Sequence, residues 1–296
     1  MTPKVRGRSV LYNLGLVAMG VFAGFFSAAF GVGGGVIIVP ALVLLFGFRM
    51  HKAVGTSLAT IVPGAVVGLL SHIAIESGHT KWLIVLLLCL GSLPGAKLGA
   101  VIAKKLSGTI LRRLFAAMIL VVGLEYLGLL DLPTEPVAGS AFYPLLVLVG
   151  LLAGSGASLF GIGGGLIIVP AVNLFFGLTI HEAIPTSLAV IVPTTAAGAL
   201  FHGKLENIDR RAMLCMVPAL LAGAVLGAIL ANSLRADSLM LLFGILLCIV
   251  SVRMFSMRRP AKPAEAGASD PEAEPSRGGA GRRRVPNTES TKHSTR

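Results

Sequence analysis

Runs of about 20 consecutive apolar residues recur along this chain of 296, and no other feature limits its fold as strongly. A helix rises 1.5 Å per residue, so each run is long enough to cross the hydrocarbon of a bilayer. Eight such spans are predicted: Val10 to Phe30, Ala53 to Ile75, Trp82 to Ala103, Leu114 to Leu130, Ala141 to Phe160, Ala183 to Phe201, Ala212 to Ala231 and Ser238 to Val252. Two shorter runs, Val36 to Phe48 and Leu166 to Leu178, have the length of a tilted or re-entrant helix. Only 13% of residues are charged, against roughly 25% in a soluble domain, and the mean hydropathy is +0.87. The chain is therefore expected to be an all-α integral membrane protein, with the lipid bilayer as its solvent. Cys89, Cys215 and Cys248 each lie inside an apolar span without partner spacing, so neither a disulfide framework nor a metal cluster follows.

Shifted by 130 residues, the chain matches itself. FGVGGGVIIVPAL from Phe30 aligns with FGIGGGLIIVPAV from Phe160, and the match runs without a gap to His72 and His202, with 25 of 43 pairs identical. After a two-residue slip, GAKLGAVIAKKL from Gly95 meets GAVLGAILANSL from Gly223. A duplicated unit of about five helical elements is predicted. The basic residues Lys4, Arg6 and Arg8 before the first span, and small residues at its end, resemble a secretory signal. The duplication argues against cleavage, because Ala141 to Phe160 is the counterpart of that span.

Five is an odd number of elements, so the second copy should be inverted in the membrane relative to the first. The positive-inside rule tests this, because basic residues should then change sides between equivalent loops. With the N-terminus inside, the inside segments carry Lys4, Arg6 and Arg8; Arg49 and Lys52; Lys104, Lys105, Arg112 and Arg113; Lys204, Arg210 and Arg211; and Arg258 and Arg259. The outside loops carry only Lys81 and Arg235. The organisation that results is a cytoplasmic N-terminus (1–9), a membrane repeat (10–130), an extracytoplasmic connector (131–139), a second repeat (140–256) and a basic cytoplasmic tail (257–296). The tail is rich in Pro, Gly, Ala, Ser, Arg and Glu, without aromatics, and is expected to be disordered. Its Arg282-Arg283-Arg284 run reads as a solvated or lipid-facing segment rather than a nucleic-acid site.

Two glycine clusters interrupt apolar sequence at membrane depth: Gly31, Gly33, Gly34 and Gly35, and Gly161, Gly163, Gly164 and Gly165. Unsatisfied backbone there is costly unless it lines a cavity or is buried in protein. Each break precedes a short helix whose N-terminus carries partial positive charge, so two breaks facing each other would form an anion site. The alternative is close helix packing through small residues. Thr56 and Ser57, and Thr186 and Ser187, open the next helix of each copy in the motif TSLA, before Pro63 and Pro193. Their hydroxyls can serve an anion, or can bond a neighbouring turn or helix. Lys97 and Glu125 are charges inside apolar spans, and therefore functional candidates; Lys97 is also close enough to Lys104 to snorkel. His72 and His202 are candidates for gating or proton coupling, or for interfacial anchoring, while His51 and His181 are loop residues. GVGGG lacks the lysine and strand of a phosphate loop. No cofactor motif, and no clustered groups of an intramembrane enzyme, can be read from the sequence.

The motif GxGGGxxxVP followed by TSLA and a proline-broken helix, present twice, resembles the sulfite exporter TauE/SafE family, also called the toluene-sulfonate uptake permease family. The resemblance covers residues 10 to 256. It implies multi-pass residence in the bacterial plasma membrane and transport of sulfur-containing or carboxylate anions such as sulfite, sulfonates, sulfoacetate or thiosulfate. The family pattern falls on Gly31 to Gly35, Pro40, Thr56, Ser57 and Pro63, and on Gly161 to Gly165, Pro170, Thr186, Ser187 and Pro193; Pro185 departs from it, where the first copy has Gly55. The reading is a secondary transporter moving a small anion by alternating access, with protons as a candidate coupling ion. A passive anion channel and an intramembrane lipid-phosphate enzyme are the rivals. Substrate, direction, coupling ion and oligomeric state are left open.

Overall fold

The computed structural model describes residues 3–75, 80–129, 141–233 and 236–256. The 131–139 connector and the 257–296 tail lie outside them. Ten helices are found among the described residues, five from each copy of the duplicated unit. The first copy gives α1 (Pro3–Phe30), α2 (Gly35–Leu44), α3 (Met50–Ile75), α4 (Trp82–Lys105) and α5 (Gly108–Tyr126). The second gives α6 (Phe142–Phe160), α7 (Gly165–Leu174), α8 (Ile180–Gly203), α9 (Arg210–Ser233) and α10 (Ala236–Ser256).

Two boundaries differ from the sequence expectation, each for a local reason. The first helix starts at Pro3 rather than near Val10, since proline suits a first helical turn. The loop expected around Arg112 and Arg113 is instead the start of α5, where Ser107 accepts the Ile110 N–H as an N-cap. Arg112 thus sits in a helix and is only 7% exposed. Among the described residues, six helices have the length and apolarity of a full span: α1, α3, α4, α6, α8 and α9. α5 carries Arg112, Arg113 and Glu125 within 19 residues. The short runs resolve as α2 and α7, ten residues each. At 1.5 Å per residue they reach about 15 Å, half the hydrocarbon thickness.

Lipid is as apolar as a leucine side chain, so helices in it associate through close backbone approach rather than hydrophobic burial. Glycine supplies that approach here, and it joins the two copies. Along α4 and α6, a Cβ on Gly91, Gly95 or Gly99 would overlap the carbonyl oxygen of Val147, Leu151 or Ser155; one on Gly150 or Gly154 would overlap that of Leu88 or Ser92. The partners advance together, so α4 and α6 run parallel. The equivalent pair, α1 and α9, repeats the pattern with Gly24 against Leu220 and Gly223 and Gly227 against Val21 and Phe25. In contrast, the equivalent helices α3 and α8 cross in opposite senses: Gly198 lies against Leu58, and Gly68 against Leu188. α5 and α10 do the same, with Gly123 near Leu247 and Ser251 bonded to the Ala116 carbonyl. The apolar faces turned outward, such as Leu86, Leu90 and Leu98 of α4, are the lipid-facing surface.

Candidate functional site

Both breaks are fully buried, and they meet at the α3–α8 crossing. Gly31, Gly33 and Gly34 have φ of +66°, +82° and +73°, and Gly161, Gly163 and Gly164 have +76°, +84° and +90°. L-residues with a Cβ pay about 1–2 kcal/mol to adopt that region. The remaining glycine of each motif is constrained by space rather than dihedral. A Cβ on Gly35 would overlap the Gly161 carbonyl and lie 2.5 Å from Ile162 Cα; one on Gly165 would overlap the Gly31 carbonyl and lie 2.7 Å from Val32 Cα. The breaks therefore touch backbone to backbone, each helix N-terminus set against the other break. The first N–H groups of a helix have no intrahelical acceptor, so α2 and α7 bring two such sets of donors toward one place. Ile61, Ile191 and Thr195 close around it, each within 3.6 Å of a Cβ placed on Gly163.

The TSLA hydroxyls are all buried and all engaged with the other copy. Ser57 Oγ donates to the Gly161 carbonyl at 2.7 Å, and Ser187 Oγ to the Gly31 carbonyl at 2.8 Å. Thr56 Oγ1 accepts the Asp209 N–H at 2.8 Å, and Thr186 Oγ1 accepts the Lys81 N–H at 3.1 Å. Of the two sequence readings of these hydroxyls, the neighbouring-helix one describes the bonds in this conformation.

His72 and His202 are buried inside the protein, 6% and 1% exposed. Their Nε2 atoms lie 2.9 Å from the Ala28 carbonyl and 2.8 Å from the Ser158 carbonyl. A carbonyl only accepts, so Nε2 carries the hydrogen. Ala28 and Ser158 are in the last turns of α1 and α6, where carbonyls lack helical partners, so each histidine pins the helix end that leads into a break. His202 Nδ1 and Ser158 Oγ are buried without a hydrogen-bond partner. His51, placed in a loop by the sequence, is in the first turn of α3 and caps α4, with Nε2 2.9 Å from the Ala103 carbonyl.

Lys97 lies on the exposed face of α4, away from the glycine face packed on α6. Glu125 lines an apolar cavity of about 200 Å³ between α5 and α7, beside Val121, Leu166, Pro170 and Phe175, and its Oε2 is buried without a hydrogen-bond partner. Neither is brought to the breaks. From the sequence, Lys81 is only an outside-loop cation and Asp209 has no role; each directly precedes a long helix at an equivalent position. Lys52 Nζ pairs with Asp209 Oδ2 at 3.0 Å, and Lys81 Nζ with Glu182 Oε1 at 2.8 Å. Among the described residues no group of three or more metal-ligating side chains is found, and the cysteines are free.

The fold and the paired breaks define a polytopic helical membrane protein made of two interlocked copies of one unit. The chain belongs to the sulfite exporter TauE/SafE family, whose model matches residues 3–126 and 146–287. It is 25% identical to the "Probable membrane transporter protein YunE" of Bacillus subtilis (strain 168) over 81% of this chain and 96% of that protein. It is 28% identical to a "Probable membrane transporter protein" of Xylella fastidiosa (strain 9a5c), over 80% of this chain and 92% of the relative. A similar protein of Haemophilus influenzae, with the same printed name, is 31% identical over 57% of this chain and 65% of its own length. No solved structure matches. The protein is thus a multi-pass membrane transporter of this family and not an enzyme.

Proposed function

We propose that the protein is a secondary transporter of a small anion, a sulfite, sulfonate or related sulfur-containing or carboxylate anion, held between the two glycine breaks. The observation that carries this reading is the meeting of the N-termini of α2 and α7, each against the other copy's break. Helix N-termini offer unpaired N–H groups and roughly half a positive charge each, the ordinary means of holding an anion away from water. The breaks touch in this conformation, so binding requires them to part. Ser57 and Ser187 then trade a carbonyl acceptor for the anion, and both hydroxyls are already on the spot.

Alternating access follows from the inverted arrangement, which the opposed crossings of α3 with α8 and α5 with α10 support: equivalent helices running in opposite directions place equivalent loops on opposite faces. In this reading the protein lies in the plasma membrane with both termini cytoplasmic. Protons are the candidate coupling ion, and Glu125, His72 and His202 are the groups to carry them.

Thermal stabilisation of the purified protein by sulfite, thiosulfate, sulfoacetate, taurine, sulfate and short carboxylates tests the site. A bound anion raises the melting temperature by mass action, about 2.7 kcal/mol at 100 times Kd. One anion should stand out, and Gly34→Leu should lose its shift while still inserting. A Gly34→Leu protein with undiminished affinity would remove the breaks from the binding site.

A further inference from the structure

The Lys52–Asp209 and Lys81–Glu182 ion pairs between the copies occupy equivalent positions with their charges exchanged. Lys52 of α3 corresponds to Glu182 of α8, and Lys81, just before α4, corresponds to Asp209, just before α9. Both cations belong to the first copy and both carboxylates to the second, so the two exchanges cancel and attraction is kept at both places. Each pair is doubled by a backbone bond to the same loop residue: Thr56 takes the Asp209 N–H, and Thr186 takes the Lys81 N–H. Because α3 and α8 cross in opposite senses, the pairs sit at opposite ends of that crossing.

We infer that these pairs are the latches of two mouths, Lys52–Asp209 closing one and Lys81–Glu182 the other. The inference rests on the transporter reading. Beneath each latch lies the start of a helix that touches a break: Val54 Cα lies 2.8 Å from a Cβ placed on Gly161, and Ile184 Cα 2.9 Å from one on Gly31. Parting Lys52 from Asp209 therefore frees the segment of α3 that covers the second break, and parting Lys81 from Glu182 frees the segment of α8 that covers the first. The lysine side chains are 46% and 45% exposed, so each pair is a weak, solvent-screened contact that yields readily. Topology alone does not account for Lys81. The positive-inside rule disfavours a lysine in that loop, and the carboxylate it meets gives it a reason to be there. Glu182 has a second duty, accepting from Thr179 N–H and Oγ1 at 3.0 and 3.1 Å. A neutral glutamine keeps an acceptor for both while losing the attraction.

The experiment uses the full chain with Cys89, Cys215 and Cys248 replaced by alanine, and one reporter cysteine at Ala53→Cys or Ala183→Cys, both fully buried. A bulky maleimide is added to permeabilised membranes, and elution as a single peak in detergent confirms folding. Asp209→Asn should raise labelling of Ala53→Cys about fivefold, the effect of an exposed pair at the upper end of its usual worth, and leave Ala183→Cys at or below its starting rate. Glu182→Gln should do the reverse, and the exchanged pair Lys52→Glu with Asp209→Lys should restore protection. Unmoved labelling, or a rise at both reporters from either neutralisation, would overturn the latches. A rise confined to the near reporter supports them even where the far reporter does not fall; the missing fall would count against alternating access, not against the latch.

Discussion

At Gly33 the backbone φ is +82° and a Cβ would lie 3.2 Å from the Ile162 carbonyl; at Gly47 φ is +70° with nothing within 4 Å. The two positions separate dihedral cost from crowding. Gly47→Ala should lower stability by about 1 kcal/mol, the conformational penalty alone. Gly33→Ala should lose roughly 2–3 kcal/mol, because overpacking adds to that penalty; equal shifts of the detergent melting temperature would refute the crowding. The carboxyl of Asp209 belongs to the same scale. Burial pushes it up, but the Ala212 N–H and the Lys52 ammonium outweigh burial and hold it below the ordinary carboxylate range. A depressed value means that its stabilisation is complete above the unfolded pKa and is lost as pH falls through the folded one. Asp209→Asn should therefore melt lower than the parent at pH 7, by no more than about 1 kcal/mol of stability, with the gap closing below about pH 4. A gap that does not narrow at all as pH is lowered below 4 would place the contribution elsewhere.

Among the elements, the glycine faces of α4 and α6 decide the assembly. Gly154 would place a Cβ on the Ser92 carbonyl, and Gly95 one on that of Leu151, whereas Leu90 is 58% exposed on the opposite face of α4. Gly154→Val should part the helices and abolish a monodisperse elution peak, while Leu90→Ala leaves it unchanged; a well-behaved Gly154→Val protein would show that the close approach is dispensable. The helices themselves were readable in the sequence, since long apolar runs and glycine breaks are local patterns. The two ends misjudged, at Pro3 and at Gly108, fell where charged residues were counted as loop although the helix continues through them. The site was legible in its glycines, which have backbone reasons to be glycine. It was less legible in its hydroxyls, because whether Ser57 faces a ligand or the Gly161 carbonyl depends on which helix of the other copy lies beside it. Lys81 and Asp209 were missed for the same reason, since their partners are more than 100 residues away, and only the equivalence of the positions before α4 and α9 could have flagged them.

The duplication shows that two like units exist, but not that each completes its core with helices of the other. α1 packs on α9 and α4 on α6, so the first helix of each copy packs chiefly on the fourth helix of the other. Equivalent helices meet in opposite senses at α3 with α8, where Leu58 faces Gly198 and Leu188 faces Gly68. In a bilayer this places the start of α3 on the side where α8 ends. The Lys52–Asp209 pair then shares a face with Lys204, just past α8, and with Ser107, which joins α4 to α5; Trp82, at the start of α4, belongs on the other. Single cysteines at Ser107, Lys204 and Trp82, in a chain without its native cysteines, should be labelled from two sides. An impermeant maleimide applied to inverted vesicles should reach Ser107→Cys and Lys204→Cys, and applied to intact cells it should reach Trp82→Cys. Reagent reaching Ser107→Cys and Lys204→Cys from opposite faces would mean that the copies share one orientation, and rocking of one inverted copy against the other would lose its basis.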